Sequence, residues 1–210
     1  MTTAIIGTGG IGSAIARRLA SGGETLRLAS ADQDSARTLA ANLGGAGIVA
    51  SDNREALQGV DAVILALRFP VLRGVIDEIS GVLSDELVLI PSNPVGLDDQ
   101  GQVVRLLPEG RVSGEVVAGW LPAGARLAMA FDTMSADLFE SLSNRSPERA
   151  VLFYATDDLG TDDVERLIRI AGFEPMKVGG LNQSSRLEVD GDLHDLVVGV
   201  TEARSMVGRT

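Results

Sequence analysis

The stretch AIIGTGGIGSAIARRLA, residues 4–20, passes from an apolar run through Gly7, Gly9, Gly10 and Gly12 into a segment where Ile11, Ile15 and Leu19 recur every fourth residue. The run reads as a buried strand, and the four-residue recurrence as a helix face laid against a sheet. Strand, glycine turn and helix in immediate succession form the G-x-G-x-x-G arrangement that takes a dinucleotide pyrophosphate. Gly7 permits the tight turn, Gly9 lets the phosphates approach the backbone, and Gly12 lets the helix pack closely on the strand. The anion would sit on the free N–H groups of Gly10, Ile11 and Gly12, at the positive end of the helix. No G-K-[ST] follows, which excludes a Walker-type nucleotide site.

Working outward from this turn, apolar runs and amphipathic segments keep alternating. Strands are expected at 25–29, 47–50, 61–67 and 87–90. Helices are expected at 34–43, closed by Gly44 and Gly45, at 53–58 with Asp52 or Asn53 as the cap, and at 71–83. The run DAVILAL, residues 61–67, is apolar enough to be buried on both faces and so belongs in the middle of a parallel sheet. PSNP, residues 91–94, reads as a rigid turn. Beyond it the expected elements are a helix over 113–121 capped by Ser113, a strand over 126–131, a helix over 135–141, and a strand over 150–154. A helix over 161–171 capped by Thr161, a strand over 174–178 and a helical tail from Leu193 complete the chain. The class is α/β, a Rossmann-type doubly wound, mostly parallel sheet, with a C-terminal α/β and helical extension. Residues 1–132 form the dinucleotide-binding core and 133–210 the extension, packed as one compact unit.

Composition narrows the function. The 210 residues are 45% hydrophobic, enough for a substantial core, and the formal net charge of −11 repels phosphate backbones and anionic lipid. Nucleic acid and membrane are therefore poor partners. With no basic leader and no apolar run near the about 20 residues that span a bilayer, the chain reads as cytoplasmic. The absence of cysteine removes disulfides, thiolate metal sites and cysteine nucleophiles. Lys177, Tyr154, Trp120 and His194 are each the sole residue of their type, so side chains have little bond-making chemistry to offer.

At the end of the second strand, Asp32 lies where an acid would accept the 2′-hydroxyl of NAD, while Thr8 and Ser30 are hydroxyl donors suited to the 2′-phosphate of NADP. Asp32 serves equally well as a helix cap. Arg68 either binds a substrate or cofactor anion or pairs with a surface acid. His194 reads as a solvated helix-start residue, Tyr154 as core rim, and the acidic pairs at 157–158 and 162–163 as caps and solvated surface. Trp120 anchors its helix. No metal site is read from these residues.

GTGGIG (7–12), LAS (28–30), DAVILALRFP (61–70), SNP (92–94), AMAFDTM (128–134), VLFYATDD (151–158) and GFEPMKVGGL (172–181) together resemble, in order, the NADP oxidoreductases that use the deazaflavin coenzyme F420. The resemblance implies hydride transfer between a nicotinamide and a deazaflavin stacked over it, catalysed mostly by positioning. It implies that Gly7, Thr8, Gly9, Gly10, Ile11 and Gly12 hold pyrophosphate and ribose, and that Ser30 holds the 2′-phosphate. Leu67, Arg68 and Phe69 would flank the nicotinamide, Ser92, Asn93 and Pro94 would orient its ribose or carboxamide, and Asp132 and Thr133 would face the substrate. The cofactor is NADP, with NAD as the alternative, and F420 is the co-substrate. Three positions depart from the family: Ala31 where an Arg is common, Arg68 where Pro is frequent, and the Phe131-Asp132 pair. These allow a small carbonyl or imine as substrate, bound or protonated by Arg68 or Asp132, or a non-catalytic NAD(P) sensor. A homodimer is expected, with the C-terminal tail helping to close the cleft.

Overall fold

A computed structural model, which describes residues 1–158 and 161–208, builds the chain around one eight-stranded sheet. The first half runs β1 (Thr2–Ile6), α1 (Gly10–Ser21), β2 (Thr25–Ala29), α2 (Gln33–Ala41), β3 (Gly47–Val49), α3 (Asn53–Ala56), β4 (Ala62–Leu65), α4 (Phe69–Ile79) and β5 (Leu87–Ile90). A two-stranded hairpin, β6 (Val95–Leu97) and β7 (Val103–Arg105), follows. The chain continues through α5 (Ser113–Ala118), β8 (Arg126–Ala130), α6 (Ala136–Leu142), β9 (Val151–Ala155), α7 (Asp162–Ile170) and β10 (Glu174–Gly179). A 3₁₀ turn over Leu181–Arg186 and α8 (Val200–Val207) close it.

The strand order β10-β9-β8-β5-β4-β1-β2-β3 puts β4, β1 and β5 in the interior, where their residues are buried on both faces. That is why 61–67 reads as a nearly unbroken apolar run. All pairings within this sheet are parallel except β8 with β9, which meet antiparallel only at Met129–Ala155 and Ala130–Tyr154. The sheet is thus mostly parallel, as expected, and it runs straight across the boundary drawn at residue 132. One apolar layer lies on each face. Ile15 and Leu19 are fully buried against it, and Ile11 at the start of α1 is only partly covered.

Several expectations need correcting. The hairpin of β6 and β7 was not anticipated. Its signal is the turn between them, where Asp98 Oδ1 accepts the N–H groups of Gln100 and Gln102 and Gly101 has φ +77°. The cap of α5 is Val112, not Ser113, because the buried acceptor Glu188 takes the Ser113 N–H at 2.8 Å. Thr161 holds the N-cap position of α7 but makes no capping bond. The tail is helical only over Val200–Val207, and residues 209–210 of it lie outside the described residues. His194 precedes that helix and is mostly covered, its Nδ1 lying 3.0 Å from the Leu187 carbonyl oxygen.

The C-terminal part of the chain is tied to the N-terminal half by α6. Phe139 is fully buried between Phe131, edge-on with centroids 5.9 Å apart, and Phe173, stacked at 4.9 Å. On the same helix Glu140 pairs with Arg17, and its carbonyl accepts from Arg18 of α1 at 2.7 Å. The aromatic stack carries more of this junction than the half-exposed ion pair, since exposed pairs contribute at most about 1 kcal/mol. Phe139→Ala is expected to lower unfolding free energy by about 3–5 kcal/mol, read as a fall in the midpoint of chemical denaturation.

Candidate functional site

The turn after β1 is built from three backbone contacts. Gly7 has φ +102°, and a Cβ there would collide with the Ala66 carbonyl beyond β4. A Cβ on Gly12 would collide with the Gly7 carbonyl oxygen. Gly9 differs: a Cβ on it meets nothing within 4 Å, and its φ of −71° is open to any residue. Two of the glycines are therefore required by packing, and the third faces free space. No side chain caps α1 and its first turn contains no acid, so its leading N–H groups are unpartnered at the positive end of the helix. An anion placed there meets donors and no competing carboxylate.

The space in front of Gly9 and Gly10 is a cavity of about 510 Å³. One wall is Leu67, Arg68 and Phe69 at the carboxyl end of β4, and another is Ser92 and Asn93 after β5. The hairpin supplies an apolar roof of Val95, Leu97 and Val103, with Leu97 and Val103 69% and 65% exposed. The cavity lies outside the carboxyl ends of parallel strands, where open α/β sheets take their ligands. Sequence reasoning missed the roof altogether.

Within this frame, Ser92 donates its hydroxyl hydrogen to the Leu67 carbonyl, joining two walls. Asn93 Nδ2 donates to the Asp132 carbonyl oxygen at 2.7 Å, which leaves Asn93 Oδ1 buried and unpartnered. Pro94 is buried behind the wall, its carbonyl accepting from Leu106, and does not line the cavity. Arg68 is exposed at the rim, and no ion pair is formed by it among the described residues.

Asp132 and Thr133 stand just below Asn93, where the chain leaves β8. The parallel register of β5 with β8 pairs Ile90 with Met129, which carries Asn93 level with Asp132. Phe131 turns the backbone there with φ +66°, a conformation costing about 1–3 kcal/mol outside glycine. Asp132 is 3% exposed, and neither carboxyl oxygen has a partner; the Thr133 hydroxyl is buried and unpartnered as well. Burial, with a smaller repulsion from Glu188, pushes the Asp132 carboxyl well above the ordinary carboxylate range.

A second, shallower depression of about 400 Å³ lies between α1 and α2, bordered by Thr8, Ser13, Asp32 and Ser35. Asp32 acts as the cap of α2: its carboxylate accepts from the N–H groups of Asp34 at 3.1 Å and Ser35 at 3.3 Å and from the Ser35 hydroxyl at 2.6 Å. The bonds to Ser35 hold its pKa below the usual value. Ser30 is half-buried beside it, its Oγ accepting from the Asp32 N–H at 3.2 Å. Arg17, which borders the depression, is engaged by Glu140, and Arg37 by Asp34. The structure thus brings Gly9, Gly10, Ile11, Leu67, Arg68, Phe69, Ser92 and Asn93 around one cavity. It puts Thr8 and Asp32 on the neighbouring depression, and Asp132 and Thr133 beneath the floor. Among the described residues no group of His, Asp and Glu could hold a metal ion, and no helix is long and apolar enough to cross a membrane.

No curated protein matches the sequence. Among solved structures, a hypothetical protein from Sinorhizobium meliloti superimposes with a TM-score of 0.78 at 28% identity over 95% of each chain. A candidate F420-dependent NADP reductase from Arthrobacter sp. FB24 gives 0.74 at 16% identity over 86% of each. The reductive aminase of Aspergillus terreus, in complex with NADPH, gives 0.64 at 17% identity over 88% of this chain and 57% of its own. The last two share the fold, and this chain spans little more than half the aminase. Residues 2–94 match the family described as NADP oxidoreductase, coenzyme F420-dependent. That match covers the glycine turn and every strand from β1 to β5.

Proposed function

We propose that the chain transfers a hydride between NADP(H) and a deazaflavin-like acceptor seated in the cavity under the β6–β7 hairpin. The observation that carries this reading is the continuity of one cavity from the uncapped start of α1 to the polar wall of Ser92 and Asn93. A dinucleotide laid along it would set its pyrophosphate on the N–H groups of Gly9, Gly10, Ile11 and Gly12, where Gly9 leaves room that a Cβ would fill. Thr8 and Ser30 would face the adenosine ribose and its 2′ substituent. Leu67 and Phe69 would flank the nicotinamide, and the free Oδ1 of Asn93 matches a carboxamide N–H. When bound, the dinucleotide supplies the hydride. The apolar roof would hold a flat ring over the nicotinamide and exclude water, so rate acceleration comes from placement. Arg68 and the hairpin form the rim through which the acceptor enters, and a second copy of the chain on the exposed faces of Leu97 and Val103 would complete the homodimer.

The unpaired Arg68 favours a second reading, in which the acceptor is a small carbonyl or imine compound bearing an anionic group. Mixing the purified protein with NADPH and oxidised F420, and separately with small keto acids or cyclic imines, decides between them by which mixture consumes NADPH. Turnover with F420 is the expected result, and consumption confined to the small acceptors replaces the first reading by the second.

Gly9→Val should fold as the wild type does, since the new side chain meets nothing and the backbone is ordinary, yet it should lose NADP+ and NAD+ binding in a calorimetric titration. Ala31→Arg, which adds a free cation beside Ser30, is expected to raise the ratio of NADP+ to NAD+ affinity by about tenfold, worth about 1.4 kcal/mol. Dissociation constants for both nucleotides check it.

A further inference from the structure

The depression between α1 and α2 is lined by short hydroxyl side chains, Thr8, Ser13, Ser35 and Thr38, and by one basic residue, Arg17. Its two carboxylates are answered from α2 itself. Asp32 takes the N–H groups of Asp34 and Ser35 and the Ser35 hydroxyl, and Asp34 takes the guanidinium of Arg37 at 2.7 Å. Arg17 is held differently. It turns to Glu140 of α6, where its Nε, at 2.7 Å, and its Nη2 both donate to the same oxygen, Oε1. The pair therefore lacks the two-oxygen fork that makes guanidinium–carboxylate contacts strong, and with side chains 47% and 37% exposed it is screened by water.

Resting on the dinucleotide reading above, which sets Thr8 and Ser30 against the adenosine ribose, we propose that Arg17 selects NADP over NAD. It exchanges Glu140 for the 2′-phosphate of the bound nucleotide, and so does the work of the arginine that position 31 lacks.

The geometry of α1 supports the exchange. Ser13 and Arg17 are four residues apart on one face of the helix, and helical side chains lean toward the N-terminus, so an Arg17 released from Glu140 lies back over Ser13 toward the glycine turn. The Ser13 hydroxyl is fixed to the Thr8 carbonyl oxygen at 2.9 Å, which makes that side of the depression part of the turn. On the other side Ser30 stands against Asp32, its Oγ accepting from the Asp32 N–H at 3.2 Å. A phosphate between these sides carries nearly two negative charges and three acceptor oxygens, so each guanidinium donor finds an oxygen of its own. The 2′-hydroxyl of NAD has no charge with which to draw Arg17 away, and the pair with Glu140 stays closed. Asp32 and Asp34 oppose a dianion, and among the lining residues Arg17 alone offsets them. Opening the pair leaves α6 attached to α1, because Arg18 holds the Glu140 carbonyl oxygen at 2.7 Å.

Calorimetric titration of wild type, Arg17→Gln and Glu140→Gln with NADP+ and NAD+ tests the exchange. Arg17→Gln is expected to lower the ratio of NADP+ to NAD+ affinity by about tenfold, through weaker NADP+ binding with NAD+ unchanged. Glu140→Gln removes the competitor and is expected to raise the ratio several-fold. Both variants cut the same surface bridge between α1 and α6, so a purely structural bridge moves the two variants in one direction and the two nucleotides alike. Opposite shifts of the ratio belong to a competition for Arg17. A ratio left unchanged by either variant, a shift of the same sign in both, or a wild type that prefers NAD+ overturns the proposal while leaving the dinucleotide reading intact. Failure of the wild type to bind either nucleotide overturns both.

Discussion

The structure depends on a single close approach of backbone to backbone. Where β1 gives way to α1, the helix start lies against the Gly7 carbonyl, and Gly7 in turn lies against the carbonyl of Ala66 beyond β4. Neither contact tolerates a side chain. Their effect is to hold the first turn of α1 at the carboxyl edge of the sheet with its N–H groups pointing into free space, an arrangement of partial positive charge that α1 itself does not neutralise. Move that helix outward by a methyl group and the donors no longer converge on one anion.

Everything else at the site is arranged relative to this edge. β4 and β5 end beside it, and the two segments that leave them, Leu67–Phe69 and Ser92–Asn93, become walls because adjacent parallel strands end at the same level. The hydroxyl of Ser92 on the Leu67 carbonyl fixes the spacing of those walls. The hairpin then closes the top with aliphatic side chains, and the C-terminal segment reaches back underneath, where Glu188 holds both Arg105 of the hairpin and the start of α5. Roof and floor are thus coupled through one buried carboxylate. A buried ion pair of this kind adds little net stability, but losing one partner strands the other. Its role is to set where the hairpin lies.

Electrostatics divides the site into two unlike ends. In the depression between α1 and α2, Asp32 and Asp34 are exposed and the cations Arg17 and Arg37 are already paired, so the field there is set by short hydroxyl and amide donors. Beside the Ser92–Asn93 wall, polar atoms are buried and unpartnered. Screening by water keeps the first end soft and easily retuned by one surface substitution. The second is dry, and a change of charge there is felt in full.

Local sequence determined much of this protein. The glycine spacing, the four-residue recurrence of Ile11, Ile15 and Leu19, the strands at 25–29 and 87–90, and the caps at Asp52 and Ser135 are all short-range features, governed by backbone sterics and by which face of an element is apolar. The cavity wall residues Leu67, Arg68, Phe69, Ser92 and Asn93 came from the family resemblance, in agreement with the rule that ligands meet parallel strands at their carboxyl ends. Asp32 was legible as either ligand or cap, and the placement of Ser35 and Asp34 shows it as the cap of α2. The hairpin roof escaped notice because each of its strands has only three residues, too few for a period to show. What tertiary structure alone decided is the state of Asp132. In sequence it is one acid among twenty-nine. Its exclusion from water, and its lack of any donor, come from Asn93, Glu188 and Phe131, brought together across as many as 95 residues of chain by the order of the strands. Burial is a property of the packed whole, and no local pattern records it.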